Sequence, residues 1–142
     1  MRYIRTILTL LAAMTLALPV AAGHYSDFYV IPVAGHVPGA NDTFFRSDVA
    51  IQNFQDTPIT VEMVLVESGL GISNNVFPVG DPVTVPASGS ILLEDVLNGY
   101  RGMDQVIGSI MIGADQPFAV VSRAFTNDEE GGTYGQSIPG VR

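Results

Sequence analysis

Over residues 44–54 the side chains alternate, Phe45, Val49 and Ile51 pointing one way and Arg46, Asp48 and Gln52 the other. That is the period of a half-buried β-strand. Residues 59–67 repeat it, with Val61, Met63 and Leu65 opposed to Thr60, Glu62 and the apolar pair Val64 and Val66. Short runs of β-branched and aromatic residues recur at roughly ten-residue spacing, broken by Gly, Pro, Asn and Asp, with almost no helical spacing between them. An α/β fold needs helices between parallel strands. The pattern therefore predicts an all-β domain, a two-sheet sandwich of about seven antiparallel strands.

The first strand is expected over residues 25–33, followed by the turn-rich segment AGHVPGAND. Gln55-Asp56-Thr57-Pro58 reads as a turn. SGLGISNNVFPVGDP is the longest irregular piece and reads as an extended hairpin tip or cross-over. Residues 82–86 form a short edge strand, because prolines cannot donate ladder hydrogen bonds, and residues 90–93 continue it. Asp95 is placed to cap a single helical turn, DVLNG, with Gly99 to end it. Two well-patterned strands, 106–112 and 117–125, are expected on either side of an Ala114-Asp115-Gln116-Pro117 turn. The acidic loop TNDEEGG then leads to a last strand over residues 133–138.

Ahead of all this, Arg2 and Arg5 precede an apolar run over residues 7–20, and Ala21, Ala22 and Gly23 follow. That order is a secretory signal, and the run falls short of the ~20 residues that span a bilayer. Residues 1–22 are read as a cleaved signal peptide and residues 23–142 as one β-sandwich domain, secreted to the outside of the cell or the periplasm. The chain has no cysteine, so the domain rests on its core without disulfides. Beyond residue 22, four arginines face fourteen carboxylates, a formal charge of −10. Such a field repels phosphate backbones and anionic lipid, which argues against nucleic acid and against membrane binding after signal cleavage.

Three separated blocks, IPVAGHVPGANDTFFRSDVAIQN, VPASGSILLEDV and SRAFTNDEEGGTYGQSIPG, together resemble an immunoglobulin-like β-sandwich module of secreted bacterial proteins. Phe45 stands where that pattern often has tryptophan and Phe125 where it has tyrosine; both keep bulk and lose a polar handle. The resemblance covers nearly all of the chain beyond the signal. It implies an adhesive, structural or accessory role without catalysis, in a family whose function is unknown.

Candidate sites are few. Arg46 and Asp48 share a strand face and Arg123 lies on a later strand, so these three form a candidate structural cluster tying strands together. His24 lies beside the cleavage site and His36 in a Gly/Pro loop, which leaves a serine nucleophile no oriented base and a transition metal no ligand pattern. Asp128, Glu129 and Glu130 crowd one loop and are weak calcium candidates without the spacing of a calcium loop. No cofactor is implied. Ile72, Val76 and Phe77 form a possible interaction loop for a protein partner or for self-association. The competing reading is a carbohydrate-binding module, with Tyr25, Tyr29, Tyr100 and Tyr134 as its possible aromatic platform. A secreted hydrolase comes third.

Overall fold

A computed structural model describes residues 26–69, 76–98, 105–127 and 132–142. The proposed signal, His24, Tyr25, Ile72, Tyr100 and the calcium candidates Asp128, Glu129 and Glu130 lie outside the described residues. Within them the chain is all-β, as the alternation requires: β1 (Ser26–Pro38), β2 (Phe44–Asn53), β3 (Ile59–Glu67), β4 (Val76–Pro78), β5 (Val83–Val85), β6 (Ser90–Leu93), β7 (Val106–Asn127) and β8 (Thr133–Pro139).

All pairings are antiparallel, and the eight strands form one hydrogen-bonded sheet in which β4, β3, β7, β1, β2 and β6 are successive neighbours. The 22-residue β7 is its spine. The first half of β7 lies between β1 and β3, and its second half between β2 and β8. Phe118 pairs with both Ser26 and Asn53 where the halves meet. Because β1 also pairs with β2, at Val37 opposite Phe45, the strands flanking the two halves are joined and the sheet curls into a half-barrel. Its concave side holds the core, with Ile31, Val61, Leu65, Ile110 and Ile112 from the first half, Val49 and Ile51 from the second, and Phe118 between them, all at most 1% exposed.

Three local expectations are corrected. Residues 114–117 make no chain reversal: β7 runs straight through Ala114-Asp115-Gln116-Pro117. Between its pairs Ser26↔Phe118 and Phe28↔Gly113, β7 has extra residues, so the segment is a bulge, where Pro117 costs no ladder bond. The helical turn at DVLNG is absent. Asp95 sits in the left-handed region (φ 44°), and a single Asn98 N–H to Asp95 C=O bond of 2.8 Å closes a β-turn. Residues 90–93 do not continue β5: β5 pairs with β3, whereas β6 crosses to the edge of β2.

Candidate functional site

Among the described residues a polar assembly centres on Asp48. It points outward from β2 yet is only 3% exposed, because the turn after β6 folds over it. The turn is held there by backbone bonds: Asp95 N–H donates to Asp48 Oδ1 at 2.9 Å, and Val96 N–H to the Ser47 carbonyl at 2.8 Å. Across the ladder Asp48 faces Arg123, which donates to Oδ2 through Nε at 2.8 Å and Nη2 at 2.7 Å. The Arg123 guanidinium in turn lies 4.3 Å from the centroid of Phe125.

Arg46 is placed elsewhere. Its Nε lies 3.8 Å from Asp95 Oδ2, while Asp95 Oδ1 accepts from His36 Nδ1 at 2.8 Å. His36 is therefore in β1, not in a loop, with its ring edge-on to Phe44 at 4.6 Å. Gly35, which reads as a breaker, donates its N–H to Ser47 Oγ at 2.9 Å and keeps the strand extended. The knot thus fastens β1, β2, β7 and the 94–98 turn. The His36–Asp95 contact escaped sequence reasoning, since its partners are 59 residues apart and the helical turn expected at Asp95 concealed it.

Chemically the knot is occupied with itself. Each carboxylate is bonded to cations or backbone donors of its own chain. Beside it a cleft of about 750 Å³ opens between the β4–β5 connection and the β6 turn, lined by Met63, Val79, Leu93 and Val96 with Asp81 and Glu94. Among the described residues no three of His, Cys, Asp or Glu converge as metal ligands. No helix there is long and apolar enough to cross a membrane.

The first half of the sheet has a different surface. Pro78, Val64, Met111 and Val30 are successive cross-strand partners, and Val141 continues the row by bridging Val30. The flanking row brings Val76 and Val66 to Ser109. These side chains point away from the core, and Val76 and Val141 are about half exposed. Of the possible interaction loop, Val76 belongs to this face, but Phe77 points inward from β4 and packs against the core. Of the tyrosines, Tyr29 is buried with its hydroxyl donating to the Phe118 carbonyl at 3.0 Å, whereas Tyr134 is 66% exposed on β8.

No family model matches the chain, and no curated protein matches it. Among solved structures it is similar to Thermotoga maritima 1070, with a TM-score of 0.62 and 13% identity over 83% of this chain and 95% of that one. That likeness extends to the fold alone. Overlap with the Anabaena sensory rhodopsin transducer is looser, with a TM-score of 0.45 and 22% identity over 66% of this chain and 90% of that one, below the level of a shared fold.

Proposed function

We propose that the chain is a secreted, non-catalytic module of the immunoglobulin-like kind that works by binding protein through the surface of its sheet, in adhesion or surface assembly. The observation that carries this reading is the apolar row on the outer face of β4, β3, β7 and β1. A sheet that is apolar on both faces is normally covered on both, and exposed apolar patches of several hundred Å² mark interaction sites. The polar knot supports the same reading, since its groups are spent on joining strands rather than aimed at a vacant position. Export rests on the signal order of residues 1–22, and the immunoglobulin-like affiliation on the three sequence blocks.

The test has two parts. The gene is expressed with its leader in an exporting host, and the released product should have lost residues 1–22 by intact mass. That product is then assayed against ester, peptide and glycoside substrates. No turnover is expected. Hydrolysis abolished by His36→Gln or Asp95→Asn would overturn the reading and make the knot an active site. A glycan-binding reading has one observation in its favour, the exposed Tyr134 ring, and the burial of Tyr29 against it. Binding to an oligosaccharide array that disappears with Tyr134→Ala would put that reading first.

A further inference from the structure

We infer that the partner of this apolar face is a second copy of the same chain, packed sheet on sheet about a two-fold axis. The inference rests on the binding-module reading and adds its partner and geometry. With strands ~4.8 Å apart and same-face residues ~6.8 Å apart, the rows through Met111 from β4 to Val141 cover roughly 500 Å² in plan. Val30, Val64, Val66 and Met111 are already half-buried, so the area lost per copy falls below the ~800 Å² per partner of a standard stable interface and the expected dimer is a weak one.

Charge selects the occupant. Beyond residue 22 the chain carries −10, so a basic partner is favoured over the molecule as a whole, yet this face offers such a partner little to pair with. Among the outward side chains of the paired rows from Glu62 to Val66 the one ionisable group is Glu62, opposite Gly113, and Asp115 lies one outward position farther toward the same end of the face. An apolar partner whose own few carboxylates stay clear of Glu62 fits better. A second copy meets that condition by symmetry. A two-fold axis lying across the strands at Met111 sets Met111 against Met111 and carries the two Glu62 carboxylates to opposite ends of the contact. The same axis places the Ser109 row of one copy over the Gly113 row of the other. Gly113 leaves room for it: a Cβ there would meet nothing nearer than the Asp27 carbonyl at 4.0 Å. Two such faces pack at the ~10 Å separation of aligned sheets, each copy supplying a second layer over the other's described sheet.

The test is light scattering behind size exclusion on the exported protein, across concentrations from about 1 to 500 μM. The expected result is twice the mass of one chain at the upper end, with Met111→Glu and, separately, Gly113→Arg each raising the dissociation constant at least 100-fold. Gly113→Arg guards against a folding artefact, because its open surroundings accept a side chain; far-UV circular dichroism and the melting temperature of the monomer should match wild type. A monomer throughout the range would overturn the two-fold dimer. So would a dimer indifferent to both substitutions and broken instead by Leu92→Glu on the β6 edge. Neither result touches the binding-module reading, which fails separately, on hydrolysis that depends on His36.

Discussion

The two halves of β7 each turn one side into the core and differ in what they turn outward. In the first half, Ile110 and Ile112 point into the core while Met111 and Gly113 point out, between Val64 and Val30 and between Glu62 and Phe28. In the second half, Ser122 and Phe118 point in, and Arg123 and Phe125 point out, opposite Asp48 and Arg46. The second half finishes its outer face internally around Asp48, with an ion pair and a covering turn, and leaves a shorter apolar row at Leu92, Ala50 and Val121, whereas the first half leaves its outer face apolar from β4 to β1. That difference separates two kinds of surface on one sheet. Polar residues that satisfy one another close a surface, whereas apolar residues with nothing over them among the described residues leave it open.

The comparison presumes that the halves share one core, and Phe118 is where that presumption can be broken. It is fully buried, pairs with β1 and β2 together, and meets Tyr29 edge-on at 5.1 Å. Phe118→Ala is expected to cost about 4 kcal/mol by the lost transfer energy and the cavity left behind. Denaturant melts followed separately by near-UV and far-UV circular dichroism should still coincide. Two separated transitions would mean that the halves fold as independent units and share no core.

Asp48 tests the second half alone. Its removal leaves the Asp95 N–H without its acceptor under the turn and releases the half-exposed Arg123 into solvent. Asp48→Ala should destabilise by about 2 to 3 kcal/mol, the scale of a buried, charge-assisted hydrogen-bond centre. The matching change on the first half, Met111→Thr, should move the monomer by no more than about 0.5 kcal/mol. Equal losses at the two sites, measured by urea denaturation, would erase the distinction between a closed and an open face. His36→Gln falls between them at about 1 kcal/mol, since it forfeits the ring nitrogen's bond to the partly exposed Asp95 carboxylate and the edge contact with Phe44.

The all-β class and the inward faces of β2 and β3 were legible because alternation is a local property: Val49 and Ile51, or Val61, Met63 and Leu65, declare their side by period alone. The outward faces were not. Asp48 reads as solvent-facing, and its burial depends on a turn 47 residues away. Local breakers misled wherever long-range pairing overrode them. Pro117 and Gly35 suggested a turn and a loop, but both are carried within strands by ladder neighbours and, for Gly35, by Ser47 Oγ. Asp95 suggested a helix cap, yet its N–H and carboxylate are engaged by Asp48, His36 and Arg46, and its backbone is left-handed. The apolar row was half visible in Val64 and Val66. Its extent came only with the register that sets Pro78, Met111, Val30 and Val141 beside them.

Arg46 gives the smallest expected effect and sharpens the comparison most finely. It is grouped with Asp48 and Arg123 by the strand pattern, but its Nε stands 3.8 Å from Asp95 and its side chain is 43% exposed. At that distance the attraction is screened and offset by the entropy of holding a long side chain, so Arg46→Ala should cost less than about 0.5 kcal/mol. Arg123→Ala should cost several times more, because it strips both guanidinium bonds from the buried Asp48. Urea denaturation of the two variants side by side measures the ratio. A loss at Arg46 as large as that at Arg123 would mean that the knot is held by all its charges jointly, and that the outer face of the second half is closed by a network rather than by the single Asp48–Arg123 pair.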